Sequence, residues 1–122
     1  MEKKLSQKIN EEIDDVLNKI LKWENFFNIK TELYYDGWAI FLREKNAYPR
    51  IIILFKSYDN NNYSIKSFEV HLKNYQKEEF KELYTKQNIN NLNDLLKELK
   101  DVIYGKDLIQ DASKIFSDTF TN

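Results

Sequence analysis

Apolar residues recur at spacings of three and four along the first segment of the chain, at Leu5, Ile9, Ile13, Val16, Ile20, Trp23 and Phe27, with Leu17 and Leu21 widening the stripe. That period predicts an amphipathic helix over about residues 5–26. About three heptads make a short seam for an independent coiled coil, so the apolar stripe is expected to pack on the protein's own sheet.

From Thr31 the period changes to two. Asp36-Gly37 has the composition of a two-residue hairpin turn, joining a strand Thr31–Tyr35 to a strand Trp38–Arg43. The register that follows sets Tyr35 opposite Trp38, Leu33 opposite Ile40 and Thr31 opposite Leu42 on one face, leaving Glu32, Tyr34, Ala39, Phe41 and Arg43 on the other. After the polar loop Glu44–Ala47 and the strand-entry residue Pro49, Arg50 and Lys56 bracket five consecutive apolar residues. The turn-forming stretch SYDNNN leads to a fourth strand, Tyr63–Leu72. Phe68, Val70 and Leu72 share one of its faces, and Tyr63 and Ile65 take the other unless a bulge intervenes. Connections this short predict an antiparallel meander of four strands.

The remainder reads as helical. Asn74 is placed to cap a helix over Gln76–Lys86 with Phe80, Leu83 and Tyr84 inward. A second helix, Leu92–Tyr104, stops at Gly105, and a third covers Lys106–Thr119. The expected fold is therefore a single α+β domain spanning residues 1–122, with an N-terminal helix, a four-stranded antiparallel meander and two to three C-terminal helices.

Ile51 to Phe55 is apolar on both sides of its strand, which raises the question of what covers the second face of the sheet. Either a C-terminal helix crosses to cover its middle, or a partner does. An uncovered face would present Tyr34, Phe41 and alternate residues of Ile51 to Phe55, an apolar patch of the kind that marks interaction surfaces.

Composition narrows the function classes. With 42% hydrophobic and 15% aromatic residues the chain has material for a core, so its charged fraction of 32% is a solvated shell. Nineteen basic residues against 20 acidic ones, balanced along the chain, lack the basic excess of a generic nucleic-acid binder and the excess of a polyanion mimic. No cysteine is present, which removes disulfides, thiolate metal sites and cysteine nucleophiles. No run reaches membrane-span length and MEKKLSQKINEEIDD lacks the apolar core of a signal peptide, so a cytoplasmic protein without membrane association is expected. Abundant Lys, Asn, Ile, Tyr and Phe with little Gly, Ala, Arg or Pro fits an AT-rich bacterial or phage genome.

Candidate chemistry is sparse. His71, the one histidine, has Glu69 as its nearest acid on the same strand face, a pairing that would serve a general base only with a pocket around it. Asp59 to Asn62 opens like a calcium loop, yet Ser64 and Val70 stand where an EF-hand needs glycine and glutamate. Glu11, Glu12, Asp14 and Asp15 scatter around their helix. The two glycines, Gly37 and Gly105, form no phosphate-binding loop, so no cofactor or metal is implied.

The expected function is non-enzymatic binding of another protein, as in small inhibitors of the anti-defence or toxin-immunity class. Tyr34, Phe41, Tyr48, Arg50 and Tyr58 are the candidate contact residues, being of types that dominate binding hot spots. Three other readings stand beside it. The first is nucleic-acid binding by sheet aromatics, with Lys73, Lys77 and Lys81 on a helix. The second is a small-molecule binder or enzyme with His71 and Glu69 in a pocket between sheet and helices, and the third is a homodimer closed on the second sheet face.

Overall fold

A computed structural model describes residues 2–45, 50–73 and 77–108 of the chain. Helix α1 (Glu2–Ile20) runs into a short 3-10 turn, Leu21–Trp23, and then into an antiparallel sheet of five strands in sequential order: β1 (Phe27–Tyr34), β2 (Gly37–Glu44), β3 (Arg50–Ser57), β4 (Asn62–Lys73) and β5 (Lys77–Ile89). Helix α2 (Leu92–Ile103) follows, and residues 106–108 begin a further helical turn. Tyr48, the proposed cap Asn74 and residues 109–119 of the third expected helix lie outside the described residues.

The α+β class and the meander follow the sequence pattern, but the sheet has five strands where four were expected, because residues 77–89 pair with β4 instead of forming a helix. The spacing of Phe80, Leu83 and Tyr84 has a different cause from helical periodicity. Ser67 opposes Tyr84 while Phe68 opposes Glu82, so Leu83 is the extra residue of a β-bulge. A second extra residue falls before Ile89, where Asn88 takes φ 59°. The first bulge switches alternation within β5, putting Phe80 on one face and Tyr84 on the other. Lys73, Lys77 and Lys81 consequently lie on two paired strands and form no helical stripe.

The β1–β2 hairpin also differs in detail. Its loop residues are Tyr35 and Asp36, so Leu33 opposes Trp38 and Thr31 opposes Ile40, two residues from the expected register. A slip of two preserves the assignment of residues to faces. Gly37 belongs to β2, and a Cβ there would stand 1.8 Å from the Lys56 carbonyl oxygen. Close approach to backbone, and not a positive φ, is what requires glycine at this position.

Both helices pack on one face of the sheet. Ile9, Ile13, Val16 and Ile20 of α1 and Leu95, Leu99 and Val102 of α2 join Trp38, Ile40, Leu42, Ile52, Leu54 and Ile65 in one buried cluster. Asn91 caps α2 by accepting from the Asp94 amide at 2.8 Å, and Gly105, at φ 105°, ends it. Among the described residues no helix is long and apolar enough to cross a membrane.

Candidate interaction surface

The opposite face of the sheet carries no helix among the described residues. Its floor is built from the alternate positions of β2, β3 and β4: Phe41, Ile51, Ile53, Phe55 and Phe68 are half-buried and neighbours in the register, with no layer above them among the described residues. Tyr34 stands at its β1 margin, 45% exposed, with its hydroxyl donating to Glu32 Oε2 at 2.7 Å. That bond to a carboxylate, with a smaller contribution from burial, pushes the Tyr34 phenol up from its usual range.

The floor is bounded at one end by the β4–β5 hairpin. Arg43 Nη2 lies 2.7 Å from Glu78 Oε2, although β3 and β4 stand between their strands in the sheet. Three strand spacings would separate β2 from β5 by about 14 Å in a flat sheet. The contact therefore requires the arm beyond Phe68 to bend over this face, and the Leu83 bulge lies where that bend begins. Val70 of the arm is buried, while Leu72 and Phe80, on the same side of the hairpin, are exposed by 75% and 56%. The result is a trough with an apolar floor and an apolar wall, rimmed by charges of both signs at Lys30, Glu32, Lys66 and the Arg43–Glu78 pair.

At the hairpin-loop end of the sheet a cavity of about 360 Å³ opens between Tyr34, Gly37, Phe55, Lys56, Ser64 and Asn88, among other residues. His71 and Glu69 do not line it. Their side chains pair with each other at 3.3 Å on the bent arm, both about half exposed.

Of the five contact residues expected from sequence, Tyr34 and Phe41 share the helix-free face. Arg50 is buried on the helical side. Its guanidinium binds Glu44, donates to the Val102 carbonyl at 2.8 Å and meets Asp107 Oδ1 at 2.6 Å, so it holds the end of α2 to the start of β3. Tyr58 is half-buried on the same side, its hydroxyl donating to Glu12 Oε2 at 2.9 Å. Leu72 and Phe80 were missed as surface residues because the bend of the arm depends on a bulge that only strand pairing defines.

Two polar clusters fix the helices to the covered face. Glu12 of α1 accepts from Tyr58 and from Tyr63 (2.7 Å), and burial together with this carboxylate pushes both phenols far up. Lys56 is buried between them, its Nζ 4.0 Å from the Tyr63 ring centroid and 5.4 Å from that of Tyr58, and it donates to Asn61 Oδ1 at 2.9 Å. Burial pulls the Lys56 ammonium below its ordinary range. In the second cluster Glu98 of α2 accepts from Tyr84, Lys86 (3.2 Å) and Lys106 (2.8 Å). Burial pushes the Glu98 carboxyl up, but these hydrogen bonds together outweigh it and hold the group below the usual carboxylate range.

Among the described residues no three His, Asp or Glu side chains are placed to hold a metal ion. Comparison of the chain with protein-family models, with curated proteins and with solved structures finds no match.

Proposed function

We propose that the protein is a non-enzymatic binding module of the inhibitor or immunity class, taking a partner protein in the trough on the helix-free face of its sheet. The observation that carries this reading is the placement of both helices on one side, while the other side keeps a continuous aromatic and aliphatic floor with an exposed wall at Leu72 and Phe80. An apolar centre inside a rim of mixed charge resembles the anatomy of protein–protein interfaces. It is poorly suited to a polyanion, whose affinity rests on phosphate neutralisation.

The contact residues are Tyr34 and Phe41, joined by Phe55, Leu72 and Phe80. The test is capture of a partner by the tagged protein from host lysate, with nuclease treatment and at low and high salt. A stoichiometric protein retained under all these conditions is expected, together with its loss in Phe41→Ala/Phe80→Ala while circular dichroism and the urea midpoint show a folded chain. Capture that is indifferent to those substitutions, or retention only of nucleic acid at low salt, would overturn the reading.

A further inference from the structure

The sheet is open, and its two edges are treated differently. β5 is guarded: it carries Lys77, Glu78, Glu79, Lys81, Glu82 and Lys86, and two bulges break its regularity. β1 has none of these devices beyond Lys30 and Glu32. Its eight residues pair with β2 in unbroken register, it contains no proline, and it is flanked by exposed apolar groups at Phe26 (64%), Leu33 (59%) and Tyr35 (99%).

The hydrogen-bond parity of β1 is set by contacts at its ends. The Lys45 amide donates to the Phe26 carbonyl at 3.0 Å, and the Tyr58 amide to the Asp36 carbonyl at 2.7 Å. Even-numbered residues of β2 therefore face β3 and odd ones face β1, where their partners are the even residues Asn28, Lys30, Glu32 and Tyr34. The backbone groups of Phe27, Ile29, Thr31 and Leu33 point outward, and among the described residues nothing pairs with them.

The geometry points to this edge as a homodimer interface, in which β1 pairs antiparallel with β1 of a second copy about a two-fold axis through Thr31. The occupant follows from charge complementarity. With Thr31 opposite Thr31 of the partner, Lys30 of each copy faces Glu32 of the other, twice, in the closely spaced pairs of the ladder, and Ile29 faces Leu33, twice, on the helical side. Tyr35 falls opposite Phe27. Shifting the axis by one residue in either direction sets Lys30 against Lys30 or Glu32 against Glu32. In the isolated chain Lys30 Nζ lies 3.8 Å from Glu32 Oε1 of its own strand, an exposed contact that the dimer exchanges for a cross-strand one. Lys30 and Glu32, which rim the trough, thus pair across the two-fold axis, while the trough's floor and its wall on the arm stay outside the interface.

The test is sedimentation velocity of the purified chain over a wide concentration range, with charge-reversal variants. A reversible dimer is expected for the wild type. Lys30→Glu and Glu32→Lys should each weaken it by at least about tenfold, equivalent to about 1.4 kcal/mol, by opposing like charges twice. The double exchange Lys30→Glu/Glu32→Lys should recover it. Thr31→Pro removes one outward amide without touching the β1–β2 ladder and should leave a folded monomer. Because the chain has no cysteine, Thr31→Cys should form a disulfide-linked dimer on oxidation, since opposed residues of a hydrogen-bonded pair are about 5.5 Å apart at Cα. Leu33→Cys should form little, and Phe80→Lys, on the arm at the other edge of the sheet, should leave the dimer intact. A wild type that stays monomeric throughout, or a double exchange no better than either single reversal, would overturn the proposal. So would a dimer lost in Phe80→Lys.

Discussion

Asp107, fully buried just beyond α2, accepts a hydrogen bond of 2.6 Å from Arg50, the first residue of β3. The same guanidinium binds the carbonyls of Val102 and Ile103 and the Glu44 carboxylate, so one side chain ties the last turn of α2 to two strands.

Removing one member of such a pair strands a charge away from water. Asp107→Ala is expected to cost about 3 kcal/mol, the lower end for a broken buried ion pair because Arg50 keeps Glu44. Arg50→Met/Asp107→Leu should lose less than the sum of the single changes, read as urea midpoints in a double-mutant cycle. A loss below about 1 kcal/mol for Asp107→Ala would place the pair in solvent.

The two glycines should respond to alanine for different reasons. Gly37→Ala drives a methyl group into the Lys56 carbonyl and should cost at least about 2 kcal/mol, with altered β2–β3 amide shifts. Gly105→Ala meets no atom, yet forces φ 105° on a residue with a Cβ, and should cost about 1 kcal/mol without moving the sheet.

The Arg43–Glu78 bridge is about two-fifths exposed on both sides, so Glu78→Gln should change global stability by less than about 1 kcal/mol. Its effect should appear locally, as faster hydrogen exchange of amides in 77–82 while those of β2 and β3 are unchanged. Equal protection in both proteins would show that the arm bends without the bridge.

Acid should loosen α2. The folded Glu98 carboxyl lies below its ordinary range, so its contribution is fully present above the unfolded value of about 4.3 and is lost as pH falls through the folded value. Wild-type stability should therefore drop more steeply below about pH 4 than that of Glu98→Gln. Parallel pH profiles would remove Glu98 as the source. At the alkaline end the hydrogen bond to Glu98 raises Lys106 above its ordinary range, so that part of the contact persists until pH rises through the raised value.

Several of these features could be read from the chain directly. The stripe from Ile9 to Ile20 and the stripe of α2 were both legible, because helical periodicity is a local property of side-chain spacing. The faces of β1 and β2 also survived a wrong hairpin register, since an error of two residues leaves a period of two intact. The same alternation places Arg50 with Ile52, Leu54 and Lys56, but it gives no sign of which side the helices take. Arg50 and Tyr58 therefore read as surface residues in sequence and are inward-facing in the fold.

The sequence by itself determined that two helices and the first four strands are present and which of their side chains share a face, because both periods are fixed by backbone geometry within a few residues. It misplaced the first junction, since the helix expected to reach residue 26 ends at Ile20 and the strand expected from Thr31 begins at Phe27. Two things were decided only by the tertiary structure. Residues 77–89 are a strand because β4 offers an unpaired edge of backbone donors and acceptors, a partner distant from any helical propensity in the segment itself. The face of the sheet that carries no helix among the described residues was decided by where α1 and α2 both dock. A strand as apolar on both sides as Ile51 to Phe55 accepts a helix layer on either side, and the contacts that choose between them, Glu12 with Tyr58 and Tyr63 and Arg50 with Asp107, join residues far apart in the chain.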